Sequence, residues 1–112
     1  MQSVRLNSIS ELTLITSNKT ISNDITGIFS CDLLSHVMGF ANEGNILLTV
    51  LNNINVLGVA SLMDLSCVIF THNIEVNKSI VEKANELDIP LYKTKLSTAE
   101  TTILLSKSGV NN

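Results

Sequence analysis

Two short, mostly apolar runs of strand length constrain the fold of this sequence most. They span residues 46–51, in which Thr49 is the one polar residue, and 67–71, in which Thr71 is. Runs of strand length that are apolar on both faces are typical of parallel strands covered by helices on both sides. Apolar residues at helical spacing follow each run, over 54–65 and 77–87. The sequence therefore predicts right-handed βαβ units in a three-layer α/β/α domain with a mostly parallel sheet.

The first third of the chain shows weaker patterns. Residues 12–16 and 26–29 are rich in β-branched and apolar side chains and are predicted to be short strands. Residues 17–19 are predicted to form a turn between them. These strands are expected to add an antiparallel or mixed edge to the sheet.

Helix-capping residues mark two further elements. Ser30 is predicted to cap a helix over 33–41, with Asp32 in its first turn near the positive end of the helix dipole. After a short strand at 91–93, the sequence Ser97-Thr98-Ala99-Glu100 has the pattern of a capping box. A last helix is therefore expected to run from there to about residue 107.

Composition excludes several classes of function. The chain has 112 residues, which suits one domain, and a net charge of −3 without a basic stripe, which argues against nucleic-acid binding. No apolar run approaches the ~20 residues of a membrane span. Residues 1–5 lack the apolar core of a signal peptide, so a cytoplasmic protein is expected. Cys31 and Cys67 have neither a disulfide framework nor metal-ligand spacing around them, and Cys67 is expected to fill the core.

The helix predicted over 54–65 carries a single charge, Asp64. A helix that is apolar all round is buried on more than one side. Either it lies under the N-terminal segment, or it forms a homodimer interface, which is the preferred interpretation. The expected interface residues are Val56, Leu57, Ala60 and Met63.

Polar residues follow the predicted parallel strands where ligands bind in such sheets, outside the carboxyl ends of the strands. The helix starts beside them would offer free N–H groups to a small anionic ligand. Capping, turn formation and solvation would explain the same residues without a ligand. The candidate ligand-binding residues are Asp32, Asn52, Asn53, Thr71, His72, Asn73 and Ser97.

Motifs of catalysis are missing from the sequence. It contains no phosphate-binding loop of the Walker type, no dinucleotide-binding glycine pattern and no nucleophile elbow. The carboxylates are dispersed, and none forms an evident acid–base pair. The sequence therefore predicts a protein that is not an enzyme and that needs no cofactor or metal.

Several segments of the chain resemble small, stand-alone DRTGG-domain proteins. The resemblance extends from about residue 3 to 107, and the Cys-Asp-Leu-Leu-Ser and Val-Ala-Ser-Leu stretches make it fairly specific. It implies the fold of the N-terminal domain of HPr kinase/phosphorylase and a regulatory or dimerising role. It implies no kinase activity, since that chemistry belongs to a separate P-loop domain. The segments that carry the resemblance are 27–38, 43–49, 55–65, 89–92 and 96–100.

The sequence departs from the residues that give the family its name. Leu51-Asn52-Asn53 stands where Gly-Asp-Arg is usual, Thr71-His72-Asn73 replaces Thr-Gly-Gly, and Leu96-Ser97 replaces Asp-Thr. Without the arginine, a rigid fork for anions is lost, and without the glycines a ligand cannot approach the backbone closely. The sequence thus favours a non-catalytic, homodimeric regulatory or protein-interaction module. The alternative is a sensor of nucleotides or phosphometabolites.

Overall fold

The computed structural model describes residues 6–17, 21 and 24–111. The predicted turn at 17–19 falls partly outside them. Within the described residues, five strands and four α-helices follow a short 3-10 helix at Leu6–Ser8. In chain order they are β1 (Thr13–Leu14), β2 (Gly27–Ser30), α1 (Leu34–Phe40), β3 (Asn45–Thr49), α2 (Asn55–Leu62), β4 (Cys67–Phe70), α3 (Lys78–Leu87), β5 (Leu91–Lys93) and α4 (Thr98–Lys107).

The strands form one sheet in the order β1-β5-β4-β3-β2. β2 to β5 are parallel to one another, whereas β1 pairs antiparallel with β5, Thr13 lying opposite Lys93. This confirms the mostly parallel sheet with a mixed edge. Only one of the two N-terminal strands is antiparallel, because β2 joins the parallel set beside β3.

Successive parallel strands always add on the same side of the sheet, so right-handed crossovers place α1, α2 and α3 on one face. Their apolar side chains pack with Leu47, Val68 and Phe70. On the other face, Ile46 and Ile69 pack against α4 and the segment before β1. Strand residues thus alternate between two cores, and the three-layer architecture is confirmed.

The second helix lies between α1 and α3 and packs on both. This position explains why it has no charged side. The described residues 6–14 do not cover it, contrary to one interpretation of the sequence, because they pack on the opposite face of the sheet, mainly through Leu6 and Leu12. The helix ends at Leu62 and is shorter than predicted.

The start of the first helix also differs from the prediction. Ser30 does not cap it, because β2 continues through Ser30 and the Cys31 N–H still donates to the Leu48 carbonyl of β3. Leu33 holds the N-cap position and offers no side-chain acceptor. Asp32 therefore lies outside the helix, and its carboxylate is directed to β3 rather than to the first turn of α1.

Gly44 turns the chain between α1 and β3. Its φ of +84° lies in the left-handed region, and a Cβ atom there would sit 2.5 Å from the carbonyl oxygen of Asp24. Only glycine fits both conditions. No helix among the described residues is long and apolar enough to cross a membrane.

Candidate functional site

The loops that follow β2, β3, β4 and β5 meet at one edge of the sheet, because the carboxyl ends of parallel strands lie together. We call residues 31–33, 50–54, 71–77 and 94–97 the strand-end rim. All seven candidate ligand-binding residues lie on it.

Asp32 connects two of these loops. Its Oδ1 atom accepts a hydrogen bond of 2.7 Å from the Thr49 hydroxyl and one of 2.8 Å from the Val50 N–H. The same threonine hydroxyl accepts from the Leu51 N–H at 3.1 Å. The carboxylate therefore fixes the path of the chain as it leaves β3.

The side chains of Asn52 and Asn53 contact backbone N–H groups at the starts of α3 and α2, respectively. The Asn53 side chain accepts from the Asn55 N–H at 2.8 Å, at the first turn of α2. The Asn52 side-chain oxygen lies 3.4 Å from the Asn77 nitrogen, just before α3. Asn77 itself occupies the N-cap position of α3 but forms no side-chain cap.

His72 and Asn73 both adopt left-handed backbone conformations, with φ of +61° and +55°. Their N–H groups donate to the Leu96 and Thr94 carbonyls at 2.7 and 2.9 Å. The loop after β4 is thus tied to the loop after β5. These are the two positions where the family resemblance places glycines, so the chain keeps a backbone that glycine would favour while adding two side chains.

The side chains at this turn contact the start of α4. Nε2 of His72 accepts a hydrogen bond of 3.2 Å from the Thr98 N–H. The Thr71 and Thr98 hydroxyls lie 2.8 Å apart. The Thr98 N–H at the start of α4, a group predicted to be free for an anion, is therefore already hydrogen-bonded within the chain.

The capping box at α4 is confirmed. The Ser97 hydroxyl accepts from the Glu100 N–H at 3.0 Å, and the Glu100 carboxylate accepts from the Ser97 N–H at 2.9 Å. The pKa of Glu100 is lowered, first by the hydrogen bond that its carboxylate accepts from the Ser97 N–H and second by a hydrogen bond with the Ser97 side chain. Ser97 thus holds the helix start.

A groove of about 520 Å³ lies at the β5 side of the rim. Its walls come from the segment before and within β1, from the His72–Asn73 turn and from the end of β5. The residues used below are Ser10, Glu11, Thr13, Asn73, Lys93 and Lys95. We call this the β1–β5 groove.

Of the seven sequence candidates, only Asn73 lines this groove. Ser10, Glu11 and Thr13 were missed because nothing local in the sequence places them beside β5. That placement follows from the antiparallel pairing of β1, which puts Thr13 opposite Lys93. Lys93, which ends the predicted strand over 91–93, and Lys95 just after it were the available signal.

The four residues proposed as a dimer interface lie mainly inside the chain. Val56, Leu57 and Ala60 are at most 2% exposed and pack in the core under α1, α2 and α3. Met63 is half-buried against the same core. In this conformation the first three are not accessible to a second copy.

The described residues offer little reactive chemistry. No three of their histidine, cysteine, aspartate and glutamate side chains are grouped so that they could hold a metal ion. Cys67 is fully buried between strands, and this burial raises the pKa of its thiol, so the thiol stays protonated and packs as a small apolar group. Cys31 is half-buried, and its sulfur lies 3.5 Å from the Leu33 nitrogen.

Comparison with known proteins gives one family and one informative structure. Residues 18–108 match the DRTGG domain. The fold is similar to a crystal structure of the CBS and DRTGG domains of the regulatory region of Clostridium perfringens pyrophosphatase, complexed with its activator, diadenosine tetraphosphate. The TM-score is 0.69 at 17% identity, over 87% of this chain and 42% of the other. At that identity the likeness concerns the fold alone, and this chain spans less than half of its neighbour. No curated protein matches it.

Proposed function

Because this chain belongs to the DRTGG domain family, we propose that it is a non-catalytic regulatory domain that acts by pairing with a second copy of itself. The cytoplasmic location expected from the sequence is part of this proposal. The observation that carries it is a set of exposed apolar side chains on two neighbouring helices.

These side chains lie on and beside α1 and α2. Leu33, Phe40 and Leu62 are 62%, 64% and 69% exposed, and Met38 and Ile54 are also exposed. We call these five residues the α1–α2 face. Several large apolar side chains exposed on adjacent elements are typical of an interaction surface.

The distribution of charge favours a second copy as the occupant of this face. Residues 33–42 and 45–63 contain no aspartate, glutamate, lysine or arginine. In a two-fold contact the same surface meets itself, so every charge on it faces the vicinity of its own copy. An uncharged face avoids that repulsion, whereas a charged partner protein would find nothing complementary on it.

An aromatic stack gives this face a fixed anchor. The ring of Phe40 lies 4.5 Å from the His36 ring, one turn back on α1, and His36 lies 6.3 Å from Phe29 of β2. Anchored aromatic side chains contribute most of the energy in many interfaces. A stable dimer buries about 800 Å² per partner, and the proposed contact includes exposed side chains of both α1 and α2.

The test is the mass of the protein in solution. We expect a dimer at micromolar concentration by analytical ultracentrifugation, and a monomer for Phe40→Glu and Leu62→Glu. Ile103→Glu is the matched control, since Ile103 is 56% exposed on α4, on the other face of the sheet. A monomeric wild type, or dissociation by the control to the same extent, contradicts the proposal.

A second candidate function is the sensing of a small anionic ligand. It is supported by the structural neighbour, a regulatory region that was crystallised with a nucleotide activator. Asp32, Asn52, Asn53, Thr71, His72 and Ser97 are already hydrogen-bonded within the chain, so a ligand there would have to displace or share those bonds. A thermal-shift panel of adenine nucleotides and sugar phosphates tests it, and an unchanged melting temperature throughout would count against it.

A further inference from the structure

We infer that the β1–β5 groove binds a sugar phosphate, with the phosphate on its two lysines and a sugar hydroxyl on Glu11. This assignment deepens the ligand-sensing candidate and rests on it, but of the seven sequence candidates it uses only Asn73. The groove measures about 520 Å³, within the ~300–1,000 Å³ range of small-molecule sites.

The β1–β5 groove carries two positive charges that suit a phosphate group. Lys93 ends β5 and Lys95 follows it, and among the described residues neither ammonium group lies within ion-pair distance of a carboxylate. A phosphomonoester carries a charge of about −1.5 to −2 at neutral pH. Two lysine ammonium groups suit it as point charges, and each can supply hydrogen bonds to its oxygens.

Two uncharged side chains of the groove also offer hydrogen-bond donors to a ligand. Thr13 lies opposite Lys93 in the β1–β5 pairing, and its exposed hydroxyl forms no hydrogen bond within the described part of the chain. The side-chain amide of Asn73 is likewise exposed and forms none there. These two groups and the lysines line the same groove.

Hydrogen bonds between the loops after β4 and β5 make the floor of the groove rigid. The His72 and Asn73 N–H groups donate to the Leu96 and Thr94 carbonyls, and the Thr94 N–H donates to Phe70 of β4 at 3.0 Å. The Leu96 N–H donates to the Thr94 hydroxyl at 3.2 Å. A floor fixed by these bonds loses little conformational freedom when a ligand binds.

Glu11 narrows the class of ligand. Its carboxylate lines the groove and accepts a hydrogen bond of 3.1 Å from the Ser10 hydroxyl. A carboxylate repels a bare phosphate, but it accepts hydrogen bonds from the hydroxyl groups of a sugar, as acidic residues do toward ribose in nucleotide sites. Two lysines and one glutamate in one groove therefore select a phosphorylated sugar over inorganic phosphate.

Isothermal titration calorimetry with ribose 5-phosphate, inorganic phosphate and ribose tests this inference. We expect ribose 5-phosphate to bind more tightly than inorganic phosphate, and ribose alone not to bind. Lys93→Gln and Lys95→Gln should each weaken the binding of ribose 5-phosphate about tenfold. Lys107→Gln, in the last turn of α4, is the matched control and should leave it unchanged. Glu11→Gln should tighten the binding of inorganic phosphate.

Each contrary result has a distinct meaning. Binding of ribose 5-phosphate with equal affinity to all lysine variants would overturn the groove while ligand sensing stands. Equal affinity for inorganic phosphate and ribose 5-phosphate would overturn the assignment to a sugar phosphate. No binding of either phosphate would overturn the inference, and the ligand-sensing candidate would fall with it only if the nucleotides of the thermal-shift panel also had no effect. Circular dichroism of each variant separates lost binding from lost folding.

Discussion

The carboxylate of Asp32 accepts a hydrogen bond of 2.7 Å from the hydroxyl of Thr49, 17 residues later in the chain. Asp32 follows β2 and Thr49 ends β3, so the bond joins the exits of two neighbouring parallel strands. Because the same carboxylate oxygen also accepts from the Val50 N–H, the loop toward α2 is held by a charged group. These two hydrogen bonds give Asp32 a structural role that requires no ligand.

Removal of this carboxylate should destabilise the fold. Asp32→Ala is expected to lower the free energy of unfolding by about 2 kcal/mol. A hydrogen bond to a charged group contributes about 1.5–3 kcal/mol, and the exposure of Asp32 to solvent keeps its two bonds well below that sum. Urea denaturation of Asp32→Ala, Thr49→Val and the double variant measures the coupling between the two residues. Glu82→Ala, at an exposed position of α3, is the control and should have little effect. Strictly additive effects would show that the bond contributes nothing.

The left-handed conformation of His72 predicts an unusual ranking of variants. His72→Ala loses the bond to the Thr98 N–H and keeps the backbone strain, so it should cost about 1 kcal/mol. His72→Gly loses the same bond but relieves about 1 kcal/mol of strain, and its stability should approach that of the wild type. At Ser79, on the exposed side of α3, the order should reverse, because glycine disfavours helices. The same order at both positions would contradict a left-handed His72.

Two glycines should respond oppositely to the same substitution. Gly44→Ala is expected to cost about 3 kcal/mol or more, because its φ of +84° and the nearby Asp24 carbonyl both oppose a side chain. Gly58 is helical, and a Cβ atom there has no neighbour within 4 Å. Gly58→Ala should therefore stabilise the protein by about 0.5–1 kcal/mol. Thermal unfolding of the two variants checks both signs, and equal shifts would refute the contrast.

Tyr92 makes stability depend on alkaline pH. Burial, and secondarily the proximity of Cys67, raises the pKa of Tyr92 from 10 to about 12. Between these values the unfolded chain releases the phenolic proton and the folded chain retains it. The resulting stabilisation of about 2–3 kcal/mol is complete below pH 10 and is lost as the pH rises toward 12.

The measurement is direct, because Tyr92 is the single tyrosine and the chain has no tryptophan. The near-ultraviolet absorbance of tyrosinate should rise near pH 12 in the native protein and near pH 10 in guanidinium chloride. Coincident titrations in both conditions would contradict the burial argument. Tyr92→Phe should abolish the signal.

Local patterns predicted the elements whose causes are local. Residues 46–51 and 67–71 are apolar except for Thr49 and Thr71 because the strands they contain, β3 and β4, are covered on both faces. The side chains of Ser97 and Glu100 each accept a hydrogen bond from the other residue's N–H. Because the two residues are only three positions apart, the sequence alone predicted this capping box. The family resemblance was confirmed over residues 18–108.

Features that depend on distant partners were not predicted. The start of α1 was misplaced because β2 gains its last residues from pairing with β3, which no capping pattern records. The packing of α2 on both α1 and α3 was not predicted, since sequence does not show that a helix lies between two others. The β1–β5 groove depends on Thr13 meeting Lys93, a pairing that apolar periodicity cannot specify.

The pairing of the first strand with the last has a consequence for the order of folding. The Tyr92 hydroxyl donates to the side chain of Asn7, 85 residues away, and the Leu91 N–H donates to Thr16 across 75. During synthesis, Leu6 and Leu12 leave the ribosome long before the strand that covers them exists. The βαβ units over residues 27–70 pair strands whose partners lie about 18–21 residues apart, far closer in sequence than Asn7 and Tyr92, and they can form first. Leu6 and Leu12 therefore stay exposed to solvent until β5 forms. The late pairing of β1 with β5 closes a long loop and should limit the folding rate of the domain.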